Sequence, residues 1–548
     1  MKKKYICLLF VLILCVFVGF DHREGPVYTI MIYMNGSDLE SDFGLATDDL
    51  AEILDSGLLA HHANLLILTG GTYRWQNGAI PAGESIIWQF ENGKFNEIKS
   101  LGLANMGNPQ TLSDFINFAT ENYPAPKYGL IMWDHGGGSI AGFGHDENFD
   151  DDALTLNEMG MAFENTSLKA TPLEFLGFDA CLMATVEMGL IARDYAKVLI
   201  ASEDLEPGEG WDYRFLEVFN RMPDISGAAV GQVIVDSFID FFPPDTDEIL
   251  TLSVVGLDKI ALVAEAMEAL MMAANGEMDI HFDHLAIRRY HTKTFGEGTA
   301  RDNYADMVDI GDMAKHLQDL YPTEVAKVLD ALNQAVLYNR HNSDVDLYGL
   351  STFYVYGGKS IGAESLAVYG NLGVMPGHKN YQADFLQGLK SRQNSTAVLV
   401  ALAMLRDDYI IGLLQTDTPG EYLWPHIYGH PVPLHPIGST ENTSQYAIPA
   451  IINGEDADII IAFSEKSPDG KILGYRQVEN VFQKGTDPLI TGDIVTLLYP
   501  HTNKKSWAHG NTFTIGHSPQ YLSWEEIPDG TLALLTTNAC QHTSVKYL

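Results

Sequence analysis

The chain has 548 residues, of which 46% are hydrophobic and 19% are charged, as is usual for a globular protein. Its formal net charge of −39 argues against a nucleic-acid partner, because binding to a phosphate backbone requires a basic surface. An acidic surface attracts basic peptides, although solubility alone is an alternative role for most of these charges. The four cysteines do not form a disulfide framework, and only Cys181 and Cys540 lie outside the N-terminal segment.

Residues 1–20 are typical of an export signal. Lysines at positions 2–4 precede an apolar run over residues 5–20, which is short for a membrane span of about 20 apolar residues. Residues 12–15 (LILC) loosely match a lipobox, so a lipid on Cys15 and an uncleaved membrane anchor are alternatives. We therefore expect an exported protein at the cell surface, in the periplasm or outside the cell.

The first half of the chain alternates continuous apolar runs with helical patterns. This alternation predicts a mostly parallel sheet that is covered on both faces. The predicted strands are residues 28–34, 63–68, 128–133, 173–178 and 197–201, with a hairpin of residues 86–90 and 95–98 across Asn92-Gly93. The predicted helices are residues 41–56, 111–122 and 185–195.

The second half changes character twice. Residues 258–339 are predicted to be mainly helical, and residues 348–356 return to a strand pattern. From residue 391 onward, short strand-like runs are separated by Gly, Pro, Asn and Asp turns, which predicts a separate β-rich, sandwich-like domain over residues 391–548. The fold class is therefore α/β over residues 27–390, followed by this β-rich domain.

Two motifs follow directly on predicted strands: residues 133–138 (WDHGGG) and residues 178–183 (FDACLM). Because the C-terminal ends of parallel strands face one crevice, His135 and Cys181 are expected to lie close together. An imidazole can take the thiol proton of a cysteine nucleophile and later protonate the leaving amine. The amides of Gly136 and Cys181 are the candidate oxyanion donors. When each motif is considered alone, Cys181 could be a buried structural cysteine and the glycines after His135 a simple turn.

Together these motifs resemble the clostripain family of cysteine peptidases, which belongs to a caspase-like group with gingipains and legumain. The resemblance covers about residues 28–360 and includes residues 28–40 (YTIMIYMNGSDLE) and 201–213 (ASEDLEPGEGWDY). It implies a caspase-like αβα sandwich, a Cys–His dyad, and hydrolysis after basic residues through a thioester acyl-enzyme. On this match His135 is the dyad histidine and Cys181 the nucleophile.

The resemblance also implies an acidic specificity pocket for basic protein or peptide substrates. Asp179, two residues before Cys181, matches its first acidic position, and Glu209 is the best match for the second. An aspartate is commoner at that second position, so the preference between Arg and Lys stays open. Asp204 in the same loop is a rival, and a solvated turn is the other reading of Glu209.

The loop of residues 142–157 is acidic and contains no Lys or Arg, so self-cleavage there after a basic residue is not expected. Its residues Asp150, Asp151 and Asp152 offer the oxygen ligands that calcium prefers, and some members of the family are calcium-dependent. The spacing of an EF-hand is missing, so a solvated loop is the alternative. We expect that no cofactor is required.

Two other functions remain open from the sequence. One is an inactive surface-binding protein on a peptidase-like scaffold, against which the retained Cys181, His135 and glycines count. The other is an asparaginyl or other non-basic specificity on the same machinery, against which the acidic pocket residues count.

Overall fold

The computed structural model describes residues 25–243, 246, 249–296, 305–343, 345–356 and 361–393, and the backbone of separate strands after residue 398. The export segment, with its proposed lipid or anchor, and Cys540 lie outside the described residues. Within the described ranges, no helix is both long enough and apolar enough to cross a membrane.

The strands before residue 390 belong to one large sheet and two small ones. They are β1 (Tyr28–Asn35), β2 (Ala63–Gly70), β3 (Ile86–Glu91), β4 (Lys94–Ser100), β5 (Lys127–Trp133), β6 (Phe143–Asp146), β7 (Asp152–Leu154), β8 (Phe175–Asp179), β9 (Val198–Ala201), β10 (Thr251–Gly256), β11 (Thr294–Phe295), β12 (Met307–Asp309), β13 (Val336–His341) and β14 (Ser351–Phe353).

The helices are distributed along the whole of this region. They are α1 (Leu45–Asp55), α2 (Pro109–Asn122), α3 (Gly138–Ala141), α4 (Leu156–Glu164), α5 (Val186–Ala192), α6 (Val218–Arg221), α7 (Gly227–Phe241), α8 (Ile260–Gly276), α9 (Met278–His291), α10 (Ile310–His316), α11 (Pro322–Ala335), α12 (Ile361–Asn371) and α13 (Pro376–Gln393). A single π-helical turn, Leu39–Phe43, precedes α1, and short 3₁₀ turns lie at Glu147–Phe149, Ser167–Lys169 and Tyr213–Glu217.

The large sheet has nine strands in the order β13-β10-β9-β8-β5-β1-β2-β3-β4. Its central strands β2, β1, β5, β8 and β9 run parallel, whereas β3 and β4 at one edge and β10 and β13 at the other pair antiparallel. This arrangement confirms the predicted mostly parallel sheet. The hairpin turn at Asn92 and Gly93 is also confirmed, and both residues have the positive φ of 54° and 71° that a two-residue turn of this kind requires.

Two hydrophobic cores cover the faces of the sheet. Along β1, Met31 and Tyr33 point into one core, and Ile30 and Ile32 point into the other, because side chains alternate along a strand. Helices α2, α4, α5 and α8 contribute to the first core, and α1 and α7 contribute to the second. The predicted αβα sandwich is therefore confirmed.

Some elements differ from the prediction. The strand predicted over residues 348–356 shortens to β14, which pairs with β12 in a separate three-stranded sheet. The section over residues 258–339 contains α8 to α11, but it also contains β11, β12 and part of β13. Strand β10, which lies between β13 and β9 in the large sheet, was not predicted.

Strands also follow residue 398, as the sequence predicts. Their pairing is entirely antiparallel, and the longest pair is Glu455–Lys466 with Ile472–Gln483. The strands are Leu399–Ala403, Ile410–Leu414, Leu423–Trp424, His435–Ser439, Ser444–Ile452, Glu455–Lys466, Ile472–Gln483, Thr496–Leu498, Asn511–Ile515, Ser518–Leu522, Ala533–Leu534, Thr537–Asn538, Gln541–His542 and Lys546–Tyr547. A sandwich-like domain with a boundary near residue 391 stays a prediction.

Candidate active site

The register of two parallel strands places the two motifs side by side. In the pairing of β5 with β8, Trp133 lies opposite Asp179. His135 and Cys181 each lie two residues beyond this pair, at the same edge of the sheet. Gly136 lies so close to Cys181 that a Cβ added to it would be 1.8 Å from the Cys181 carbonyl oxygen. The backbones of the two motifs are therefore in direct contact, as the sequence predicts.

A buried carboxylate, Asp134, holds the histidine loop in place. It accepts hydrogen bonds from the Asn35 amide nitrogen and the Ser37 hydroxyl, both at 2.6 Å. It also accepts the backbone N–H groups of His135 at 2.7 Å and His145 at 2.9 Å. Burial nevertheless raises the pKa of Asp134 well above its usual range. Asp134 thus joins the end of β1 to both histidine-bearing segments.

A second carboxylate, Asp38, contacts the imidazole rings themselves. One of its oxygens lies 2.8 Å from Nε2 of His135 and 3.3 Å from Nε2 of His145, and the two rings are stacked with centroids 5.1 Å apart. Burial opposes ionisation of Asp38, but the hydrogen bond from His135 and the charges of both imidazoles outweigh it and lower the pKa of Asp38. A carboxylate at Nε2 favours the tautomer with its proton there, which leaves Nδ1 of His135 as the proton acceptor.

The Cys181 thiol is largely covered by the loop that follows β9. Its Sγ accepts the backbone N–H of Glu206 at 3.2 Å, and the thiol lies 3.9 Å from the Glu206 carbonyl. Burial raises the pKa of Cys181 to about 11, and the neighbouring carboxylates of Glu206 and Asp204 add to the effect. Among the described residues, Sγ has no hydrogen bond to the His135 ring. The thiol is therefore mostly protonated near neutral pH.

The two candidate oxyanion donors are available. The hydrogen bonds on either side of Gly136 run from Gly144 N to His135 O and from Gly137 N to Gly142 O, each at 2.8 Å. In the described part of the chain, the amides of Gly136 and Cys181 donate to no backbone acceptor. The residue after Cys181, Leu182, has a φ of +63°, and its N–H donates to Asp204 O at 3.1 Å.

Asp179, two residues before Cys181, is buried. Its oxygens accept the Trp211 N–H at 3.1 Å and the Tyr213 hydroxyl at 2.9 Å. Gly210, with a φ of +59°, lies against it, and a Cβ there would be 2.8 Å from the Asp179 carboxylate. Burial raises the pKa of Asp179 to about 7, although the hydrogen bonds from Tyr213 and Trp211 act in the opposite direction.

The carboxylate of Glu206, from the loop that follows β9, lies next to that of Asp179 in space. Both of its carboxylate oxygens are buried, and neither has a hydrogen bond of ordinary geometry within the described residues, although the Trp211 side chain and the Asp179 carboxyl lie close enough to shift its pKa. Burial, then the charge of Asp179, raises the pKa of Glu206 well above its usual range. Glu209, by contrast, is exposed in the same loop, and Asp204 is bound to the backbone of Leu205 and Gly296 at 2.9 and 3.0 Å.

The acidic loop near β6 and β7 is organised by its own hydrogen bonds. Asp146 accepts the amides of Met106 and Asn148 at 2.8 and 2.9 Å, and Asp152 accepts the Asn105 amide group at 2.6 Å. Asp150 and Asp151 both have positive φ values. Calcium binding at Asp150, Asp151 and Asp152 stays a prediction.

Three contributors to the site were not predicted from the sequence. Asp38 and Asp134 follow predicted strands, and this position is a signal that points to them. Glu206 lies within the resemblance at residues 201–213, but nothing in a loop sequence tells which of its carboxylates points inward.

A family model and a curated protein that match this chain both carry the name clostripain. The family model described as "Clostripain family" matches residues 32–383, more than half of the chain. Clostripain from Hathewaya histolytica is 29% identical over 233 residues, which cover 37% of this chain and 43% of that protein, so the match spans less than half of the relative.

Solved structures are also similar to this chain. A secreted C11 cysteine protease from Bacteroides thetaiotaomicron, in complex with an irreversible peptide inhibitor, is 16% identical with a TM-score of 0.48, over 63% of this chain and 99% of that one. An inactive zymogen C11 protease from Parabacteroides distasonis is 21% identical with a TM-score of 0.45, over 60% and 91% of the two chains.

Proposed function

The chain belongs to the clostripain family of cysteine peptidases, and we propose that it is an endopeptidase that cleaves after Arg or Lys with a Cys181–His135 dyad. Membership of the family agrees with the resemblance found in the sequence and supports peptidase activity. The dyad and the preference for basic residues are the proposal. Its support comes from the contacts around Asp38, Cys181, Asp179 and Glu206.

The proposed reaction begins with transfer of the Cys181 proton to His135 while Sγ attacks the scissile carbonyl carbon. The amides of Gly136 and Cys181 stabilise the resulting oxyanion. His135 then protonates the leaving amine as the peptide C–N bond breaks, which leaves a thioester. A water molecule, deprotonated by His135, hydrolyses the thioester and releases the thiol. Asp38 keeps the imidazole oriented through Nε2 during both steps.

The observation that supports the specificity is the buried carboxylate of Glu206 beside Asp179, which has no ion-pair partner among the described residues. A buried carboxylate without a donor is unfavourable, and a guanidinium or ammonium group supplies both the charge and the donors that it lacks. Since the Glu206 amide also contacts Sγ, a side chain bound there lies next to the nucleophile. A neutral side chain would leave the carboxylates without a cation.

A panel of fluorogenic peptides that differ only in the residue before the scissile bond tests this proposal. We expect kcat/KM for Arg and Lys to exceed that for Asn, Gln and Leu by at least about two orders of magnitude, from the free energy of an unpaired buried charge. Equal rates for basic and neutral peptides would contradict the specificity but not the mechanism.

An inactive binding protein on this scaffold is the second candidate, and the covered thiol is the observation that favours it. Sγ is engaged by the backbone of Glu206 and not by His135. An active enzyme must uncover Sγ when a substrate binds. A peptide chloromethyl ketone with a terminal Arg decides between the two: alkylation of Cys181 supports the peptidase, and an unmodified thiol supports the binding protein.

Export is part of the proposal, on the evidence of residues 1–20. We expect a mature protein outside the cytoplasm, and a lipid on Cys15 would tether it to a membrane. Mass spectrometry of the mature N-terminus tests this. An intact Met1 on a cytoplasmic protein would contradict export, and an unmodified start beyond Cys15 would contradict lipidation.

A further inference from the structure

Three side chains converge at the proposed catalytic histidine. Asp38, His135 and His145 each present one potential ligand atom, and these atoms lie within 4.8 Å of one another. We propose that they form an inhibitory binding site for a divalent transition-metal ion of the Zn²⁺ type. The binding itself does not depend on the proposed function, whereas the inhibition rests on the role of His135 as the catalytic base.

The distances favour an ion of this size. Tetrahedral Zn²⁺ with bonds of about 2.1 Å places neighbouring ligand atoms roughly 3.4 Å apart. The carboxylate oxygen of Asp38 lies 3.3 Å from Nε2 of His145 and 2.8 Å from Nε2 of His135. The separation of Asp38 from His145 already fits, and that of Asp38 from His135 must lengthen by about half an ångström.

The side chains have the freedom to make this adjustment. Those of His135 and Asp38 are each 42% exposed, and that of His145 is 26% exposed. The rings are inclined to each other by only 14°, so one ring must rotate for both nitrogens to face the same ion. Solvent access also gives an ion from solution a direct path to the site.

The ligand types select the class of metal. Two imidazole nitrogens and one carboxylate suit Zn²⁺ and its neighbours, with water in the remaining position. Calcium prefers six to eight oxygen ligands, so it does not match this set. The site is therefore chemically distinct from the calcium binding expected at Asp150, Asp151 and Asp152.

Binding would change the tautomer of His135. A metal on Nε2 occupies the lone pair of that nitrogen, so the proton of a neutral ring must be on Nδ1. Nδ1 then cannot accept the proton of Cys181. The ion also displaces the hydrogen bond between Asp38 and His135, which is the contact that favours the active tautomer.

The test uses the full chain with Cys181→Ala, because a thiolate is itself a strong metal ligand. Co²⁺ serves as a spectroscopic probe of a low-coordinate site. We expect one Co²⁺ per chain, with Asp38→Asn and His145→Asn each weakening binding by at least about tenfold, since even outer-shell changes cost 10–100-fold in metal affinity. His61→Ala is the matched control, because His61 and His62 form another close histidine pair, with centroids 4.0 Å apart.

Circular dichroism establishes that each variant is folded, and the two independent substitutions protect the test against a single misfolded one. Unchanged Co²⁺ affinity in both folded variants would overturn the proposal, as would an equal loss in His61→Ala. With Cys181 present, Zn²⁺ should inhibit peptide hydrolysis, and His145→Asn should raise the inhibitory Zn²⁺ concentration at least about tenfold. A chain that binds Co²⁺ as expected but hydrolyses no peptide would contradict the proposed function alone.

Discussion

Replacement of Glu206 by Gln should remove most of the selectivity for basic substrates. The substitution keeps the shape of the side chain and removes only its charge. Asp179 already accepts hydrogen bonds from the Trp211 backbone and the Tyr213 hydroxyl, whereas neither oxygen of Glu206 has a hydrogen bond of ordinary geometry within the described residues. Glu206 is therefore the carboxylate that gains most from a substrate cation.

The size of the effect follows from burial. Loss of one partner of a buried ion pair costs about 3–5 kcal/mol, and Asp179 remains to offset part of it. We take ~3 kcal/mol, which corresponds to a fall of roughly a hundredfold in kcat/KM for an Arg peptide. Glu209 is exposed, so Glu209→Gln should cost ~1 kcal/mol or less, as surface pairs do.

The assay compares two peptides that differ only in Arg or citrulline before the scissile bond. Citrulline keeps the size of Arg without its charge, so the ratio of the two kcat/KM values reports the charge alone. Glu206→Gln should lower this ratio about a hundredfold, and Glu209→Gln should change it less than about fivefold. The opposite order would refute the reasoning from burial and restore Glu209, as the sequence suggested. If both variants keep the Arg-to-citrulline ratio of the unmodified protein, neither Glu206 nor Glu209 belongs to the pocket.

Three further outcomes test the site. His135→Ala should lower kcat by about 10²–10⁴-fold in the Arg peptide assay, and a loss of tenfold or less would indicate that His145 is the base. Gly136→Ala should lower the thermal midpoint and the activity, because its Cβ would lie 1.8 Å from Cys181 O, so unchanged values would contradict this contact. Burial raises the pKa of Asp179 from 3.8 to about 7, so the folded state holds more protons and stability falls as pH rises through this window. Asp179→Asn should reduce this slope by at most ~4 kcal/mol in urea unfolding, since Glu206 and Asp134 still titrate, whereas parallel curves for the two proteins from pH 4 to 8 would contradict it.

The sequence predicted the parts of the site that depend on strand ends. His135 and Cys181 follow continuous apolar runs, and parallel strands bring their C-terminal ends to one edge. This reasoning needs only local pattern and the general geometry of sheets. The antiparallel strand β10 was not predicted, because a single apolar run in a turn-rich region has no characteristic period.

The carboxylates near Cys181 and His135 illustrate why the loop residues of the site could not be predicted from the sequence. Glu206 and Glu209 lie three residues apart in one loop, and the choice between them depends on backbone dihedrals that a loop sequence does not specify. Asp38 contacts His135 across 97 positions of the chain, and only the folded loop after β1 brings them together. Predicting contacts of this kind requires the tertiary structure, whereas predicting where a strand ends requires only the local sequence.

The most direct test of the account is the rate of Arg peptide hydrolysis by Cys181→Ala, measured beside its circular dichroism spectrum. Within the described residues, the thiol forms hydrogen bonds only with the backbone of Glu206. Its removal should therefore leave the fold intact. The account predicts a native spectrum and no turnover above background. A folded Cys181→Ala protein that still hydrolyses the peptide would contradict the assignment of the nucleophile, and the mechanism with it.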